Sequence, residues 1–345
     1  MNRLYDIFEF SEDFPLIFTQ ANFWIFFVVT YFLFALFYKK IALRNTYLLL
    51  ASLFFYYKTS GLFVGILVFS TITDFFFGKA IYKSQNRTIR YLFVTLSVVI
   101  NLSVLCYFKY AYFFTDSFNM LFGTQYEVFN WLAHWGNGFA NQNYFTVDKI
   151  ILPVGISFYT FQTISYSVDI FRKKLKPLDS ILDFGFYVSF FPQLVAGPIV
   201  RAENFVPQIS KPTIITKADF DKGTFMIIKG LIKKMIFADF IAMHFLDRVF
   251  DAPEMYSGFA NVMAMFGYTL QIYGDFAGYT DIAIGLGMLL GIKLPENFNR
   301  PYWRTNITAF WQSWHITLSN WARFYIFTPL SRGLLRRRQP GQPSR

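Results

Sequence analysis

The sequence predicts an all-α, polytopic membrane protein, a multi-helix bundle with broken and interfacial helices. Three observations carry that expectation. Of 345 residues, 54% are hydrophobic and only 15% charged, whereas a soluble domain carries about 25% charge. Apolar runs such as "NFWIFFVVTYFLFALFY" (22–38), "GLFVGILVFSTITDFFFG" (61–78) and "RYLFVTLSVVINLSVLCYF" (90–108) approach or reach the roughly 20 residues needed to cross a hydrocarbon core. Basic residues fall in short clusters between these runs.

In chain order, the first twenty residues are acidic and mixed, without the basic-then-apolar pattern of a cleavable signal. Spans are expected near 22–38, 46–57, 61–78, 90–112, 150–170, 181–200, 223–249 and 257–290, all within a single membrane domain over 1–345. The last is expected as two helices broken around "GDFAGYTD". Lys39, Lys40 and Arg44, then Lys79, Lys83, Arg87 and Arg90, then Arg172, Lys173, Lys174 and Lys176 form three clusters, whereas 113–147 holds no Lys or Arg. By the positive-inside rule the clusters are cytoplasmic and the N-terminus, with Asp6, Glu9, Glu12 and Asp13, is outside. The same rule accounts for the formal charge of +11 better than nucleic-acid binding does, because no basic face gathers on a soluble domain. Residues 113–147 read as an aromatic extracytoplasmic segment with a surface helix. Cys106, the only cysteine, excludes an internal disulfide or a cysteine metal cluster.

The second half is richer in interruptions: "LPVGISFYTFQ" (152–162), "FFPQLVAGPIVR" (190–201) and "YGDFAGYTDIAIGLG" (273–287). Backbone freed by proline and glycine is tolerated at membrane depth only where protein or a water-filled cavity satisfies it. A cavity is therefore expected there. From Asn306, "NITAFWQSWHITLSNWARFYIF" reads as one amphipathic helix over 306–327, with Thr305 or Asn306 as N-cap. On such a helix Ile307, Phe310, Trp314, Leu318, Trp321 and Tyr325 form an apolar face, and Thr308, Gln312, His315, Ser319 and Arg323 a polar one.

His315 centres that polar stripe, and an imidazole can take a proton from a hydroxyl and return it. The plainer reading is a histidine hydrogen-bonded inside the bundle, or an interfacial helix with a wet face. Asp275 and Asp281, with Tyr273 and Tyr279 beside them, lie in an apolar run. Ionisable groups there mark functional sites by default, or else cap half-helices or pair with a buried Lys or Arg. Asp74 and Asp169 are expected near span ends, at the interface. His134 and His244 are read as structural, Asp239 and His244 being five apart and so not on one helix face. "GLGMLLG" (285–291) is read as close helix packing, and no GxSxG elbow occurs.

Four ordered motifs, "LPVGISFYTFQTISYSVDIFR", "YVSFFPQLVAGPIVR", "FAGYTDIAIGLGMLLGIKLPENFNRPY" and "FWQSWHITLSNW", together resemble the membrane-bound O-acyltransferase family, in its bacterial branch of alginate O-acetyltransferase-like proteins. The resemblance is dense over about 150–330. It implies helices around a tunnel or funnel in which an acyl donor meets an acceptor hydroxyl. It implies His315 as catalytic, with Gln312, Trp314, Ser319, Arg323, Tyr273, Asp275, Asp281 and Asn299 lining the tunnel or the substrate. The donor it implies is a cytoplasmic thioester such as acetyl-CoA, with no bound cofactor or metal. The acceptor is an extracytoplasmic polysaccharide such as alginate, the partner an extracytoplasmic hydrolase-like protein, and the location the bacterial inner membrane.

The family uses two histidines, one matched by His315 and a second, generally regarded as the catalytic one, in a later "WHG" segment, which this sequence lacks. Its Arg-Asp-Tyr reads here as Arg323-Phe324-Tyr325. The closing "RRRQPGQPSR" resembles a cytoplasmic loop, so the chain is expected to be a fragment, inactive alone. The competing expectations are a flippase for lipid-linked sugars, which broken helices and intramembrane Asp would also suit, and a non-catalytic scaffold of an acylation complex.

Overall fold

The computed structural model describes residue 10, residues 15–140 and residues 146–338, and the described residues contain helices and no strand. Asp6, Glu9, Glu12 and Asp13, and residues 339–345 of the basic tail, lie outside them.

Helix α1, Ala21–Phe37, buries Phe23, Phe27, Thr30 and Phe34, one face at three- and four-residue spacing. Helices α2 (Ile41–Ser60) and α3 (Val64–Lys83) are parted by Gly61, whose φ of 60° ends the first. Helix α4 runs Arg87–Phe122, capped by the Asn86 side chain at its start and by left-handed Gly123 at its end. It therefore extends ten residues past the expected 112, into the segment read as extracytoplasmic. Of that segment Trp131–Ala140 forms α5. The stretches Ile41–Lys83 and Arg87–Phe122 are long and apolar enough to cross a membrane.

Helix α6 is Ile156–Phe171. The expected 181–200 span is divided into α7 (Ile181–Ser189) and the single turn α8 (Phe191–Leu194). Pro192 explains the division, since its ring would clash with the carbonyl four residues back. A short α9, Ala202–Ile209, precedes α10, Lys217–Ile232, which opens on a capping box made by Thr216 and Asp219. The chain then continues in π-helical turns, Lys233–Phe240 and Ala242–Leu246, before α11, Asp247–Asp251. These wide turns let Lys234 reach Asp239 five residues on, at 2.7 Å. His244 instead meets the carbonyl oxygen of Phe240 at 2.9 Å and stacks on its ring.

Two expectations fail in the last third. Helix α12, Gly258–Leu289, is one continuous helix, unbroken at "GDFAGYTD". The glycines there serve close approach instead. A Cβ on Gly230 would lie 2.6 Å from the carbonyl oxygen of Gly278, and one on Gly285 2.5 Å from that of Gly223, so α10 and α12 meet backbone to backbone. Conversely, 306–327 is not one helix. It divides into α13 (Ile307–Trp311) and α14 (Ile316–Ala322), then π-helical Arg323–Phe327 and α15 (Thr328–Arg338). Asn306 is the N-cap, accepting from the Ala309 N–H.

Helices α2, α3, α4, α6 and α7 pack around a core of Phe and Tyr, with α8 joining α2 to α12. Asp74 is not interfacial but fully buried. Its carboxylate accepts from Ser97 (2.6 Å) and Asn101 (2.7 Å) on α4, and Asn101 accepts in turn from Ser70 and Thr163. Arg44, of the first basic cluster, is buried and donates to the carbonyls of Ile209 and Lys211, with Asn45 beside it reaching Asp183. Lys79 reaches the Asp179 carbonyl and Arg90 that of Phe171. The three basic clusters thus gather at one end of the bundle. At the other end, Tyr56, Ser60 and Tyr112 bond to the backbone of Ile150 and Val154.

Candidate functional site

The break between α13 and α14 builds the site. His315 sits at the turn with φ 42° and ψ 53°, a left-handed conformation rare outside glycine. The facing segment 297–299 holds that turn: the Ile316 N–H donates to the Asn297 carbonyl and the Asn299 N–H to the Ser313 carbonyl, each at 2.9 Å. Ser319 bonds back to the carbonyls of Trp311 and Trp314. The strain of one residue is thereby offset by contacts on both sides.

Asn297, only 1% exposed, orients the imidazole. Its Oδ1 accepts from the Thr317 backbone N–H (3.2 Å) and hydroxyl (2.9 Å), and lies 3.0 Å from His315 Nδ1. A backbone N–H can only donate, so the oxygen of the amide faces this way and Nδ1 must carry the proton. Nε2 is left with its lone pair. Thr317 is held in turn, its oxygen accepting from the Ile199 N–H at 3.1 Å. The ring meets Phe276 edge-on at 4.6 Å, with Phe298 behind it. His315 lies outside the expected spans, at the head of a helical run that continues from Ile316 to Arg338, and burial pushes its imidazole down to about 4. At neutral pH it is an uncharged base with one fixed tautomer.

Beside it lies a cavity of about 670 Å³ between α10, α12 and residues 293–300. Tyr273, Asp281 and Asn299 line it, together with Asn297 and Phe298, the two residues that hold His315. Trp314 packs on Phe298 and faces Tyr273 at 6.3 Å. These expected site residues therefore converge. Asp281 does so by ion pairing, not by capping a helix break, with Lys233 at 2.7 Å and Lys229 at 3.2 Å.

Others do not join them. Asp275 is more than half exposed and pairs with Lys234 at 2.5 Å. Gln312 and Arg323 are exposed, because the break at 312–315 rotates α14 away from the register in which one polar stripe would form. Tyr279 stacks on Phe18. His134 contacts Phe129 and Trp131 and lies on exposed α5.

A second polar group gathers around Tyr325. The Tyr325 hydroxyl donates to Asp169 at 2.6 Å and accepts from Arg201 at 3.2 Å, and Arg201 also pairs with Glu203 at 2.6 Å. Asp169 is buried here rather than interfacial. Phe324 places its ring 4.8 Å from the Arg201 guanidinium.

Sequence patterns missed Asn297 and Thr317. Each was an ordinary polar residue until the strained turn brought them to one imidazole.

The fold is thus helical, with two apolar stretches of membrane length, and sets a half-buried, oriented imidazole beside a polar cavity. The chain belongs to the MBOAT, membrane-bound O-acyltransferase, family, whose profile matches residues 88–339. It is 38% identical over 288 residues to "Probable alginate O-acetylase AlgI" of Azotobacter vinelandii, covering 83% of this chain and 54% of that one. It is 34% identical over 326 residues to "Peptidoglycan O-acetyltransferase" of Helicobacter pylori, covering 87% and 58%. To "Teichoic acid D-alanyltransferase" of Bacillus subtilis it is 36% identical over 186 residues, covering 52% and 46%. The chain thus spans little more than half the length of the first two relatives.

Proposed function

We propose that this chain carries the acid/base centre of a membrane O-acyltransferase of the bacterial inner membrane. The enzyme moves an acetyl or other short acyl group from a cytoplasmic thioester such as acetyl-CoA toward a hydroxyl of an extracytoplasmic polysaccharide. The observation that supports it best is the His315–Asn297 pair, which leaves a neutral Nε2 free. Nε2 takes the proton of the acceptor hydroxyl as its oxygen attacks the thioester carbonyl; the new C–O bond replaces the C–S bond, and the departing thiolate takes the proton from the imidazolium. Phe276 and Phe298 pack against the ring and would limit its access to water, the competing nucleophile. The relatives' names, an alginate acetylase and a peptidoglycan acetyltransferase, support a glycan acceptor. A hydrolase-like partner outside the membrane would complete delivery, and several helices beyond the two long apolar stretches would complete the tunnel.

Transport of a lipid-linked sugar without covalent change has less to rest on, because α12 is unbroken and both its aspartates are ion-paired. The test is His315→Ala in the producing cell, with glycan O-acyl content measured at matched membrane abundance. A loss of about 10²-fold or more is expected. Unchanged acylation would leave only the scaffold reading.

A further inference from the structure

A chain of hydrogen bonds ties His315 to the polar group around Tyr325. The helical run 316–338 presents Thr317, Trp321 and Tyr325 at four-residue intervals, which is one side of a helix. Two parts of the fold meet that side. Helix α6 accepts the Trp321 indole N–H on the Phe161 carbonyl at 2.9 Å and the Tyr325 hydroxyl on Asp169 at 2.6 Å. Residues 199–201 reach both ends of it. The Ile199 N–H donates to Thr317 at 3.1 Å, and Arg201 Nε donates to the Tyr325 hydroxyl at 3.2 Å. Between them the Val200 carbonyl accepts from the Tyr187 hydroxyl at 2.9 Å. Thr317 passes the contact on, because its hydroxyl donates to the Asn297 oxygen that faces His315 Nδ1.

Asp169 is 1% exposed, and its Oδ1 is buried without a partner, so the carboxylate is held by Oδ2 alone. Arg201 stands 4.0 Å from that oxygen and pairs more closely, at 2.6 Å, with Glu203. The Tyr325 hydroxyl therefore stands between the two charges, donating to one and accepting from the other. Remove it, and a buried carboxylate attracts the neighbouring guanidinium strongly. Arg201 would then move toward Asp169 and carry Ile199, two residues earlier, with it.

We propose that Tyr325, acting with Asp169 and Arg201, is a positioning residue for His315. It sets where residues 199–201 lie against the 316–338 run, and so maintains the Thr317 and Asn297 bonds that fix the tautomer of the imidazole. The consequence for rate rests on the acyl-transfer reading; the consequence for the tautomer rests on the geometry alone.

The test is nitrogen NMR of detergent-purified protein carrying isotope-labelled histidine, with His134→Gln and His244→Gln, both at exposed positions, so that one ring gives the signal. The parent should show the proton on Nδ1 only. Tyr325→Phe, which removes a single oxygen, should show both tautomers, and should lower the acyl-transfer kcat in membranes of the producing cell by about 10-fold with KM unchanged. In an Asn297→Ala background the same change should lower kcat no further, because the chain is already cut. If Tyr325→Phe does not fold, Arg201→Lys, which keeps the charge but not the Nε donor, carries the same expectations. A ring protonated on Nδ1 alone in the variant overturns the proposal even if the melting temperature falls, as does a parent that already shows both tautomers. Mixed tautomers in the variant, with acylation that His315→Ala leaves unchanged, would uphold the positioning role and overturn the acyl-transfer reading instead.

Discussion

At His315 a single hydrogen bond decides what the ring can do. The Asn297 oxygen holds the proton on Nδ1, so replacing Asn297 separates orientation from fold. Asn297→Ala leaves the imidazole free to turn and to exchange tautomers, and should lower the acyl-transfer kcat by up to about 10²-fold with the histidine still present. Asn297→Asp keeps an acceptor but adds a negative charge, which favours the imidazolium. In the native protein burial holds the ring near 4, so activity should persist as pH falls below the ordinary 6.5. With Asp the acid limb of the pH–rate profile should move upward, because a raised pKa removes the neutral base at higher pH. Profiles that coincide for the two proteins would show that Asn297 does not orient the base.

Among the elements, the α10–α12 seam is the least forgiving contact. Gly230→Ala or Gly278→Ala would press a methyl to within 2.6 or 2.8 Å of a carbonyl oxygen on the facing helix. Each should destabilise the protein by about 1–3 kcal/mol, seen as a lower melting temperature in detergent. Gly65, with no atom near its Cβ position, is the control and should accept Ala. The knot joining α3, α4 and α6 makes a second prediction. Asp74→Ala removes the carboxylate from the Ser97 hydroxyl and the Asn101 amide, leaving them only Ser167 and the Ser97 carbonyl, and should cost about 1–3 kcal/mol. Activity normalised to folded protein should stay near that of the native chain, because the knot lies on other helices than His315. The small-residue string after Asp281 was legible as packing. The polar knot was not, because Ser97, Asn101 and Thr163 are unremarkable singly and become a network only when three helices meet.

For the whole molecule, the basic clusters at 39–44, 79–90 and 172–176 gather at one end of the bundle, while α4 carries Ser117 toward the other. With Cys106→Ala as background, Ser84→Cys should be labelled by an impermeant thiol reagent only after the membrane is opened, and Ser117→Cys in intact cells. Labelling of Ser84→Cys from outside would invert the orientation that the positive-inside rule predicts.

The sequence by itself determined the helical class, most of the helix positions in the first half, and the four motifs that mark the family. These follow from local causes: apolar runs of spanning length, glycine and proline at element ends, and residues adjacent in the chain. What only the tertiary structure decided is the site. Periodicity extended through 306–327 predicts one helix and one polar stripe, yet Asn297, eighteen residues before His315, binds the turn and pulls it left-handed. The glycines of "GDFAGYTD" likewise predict a break in α12, yet they admit a neighbouring backbone rather than end a helix. In both places a helix pattern reports which face is apolar, but the partner across that face decides whether the backbone continues, and the partner lies elsewhere in the chain.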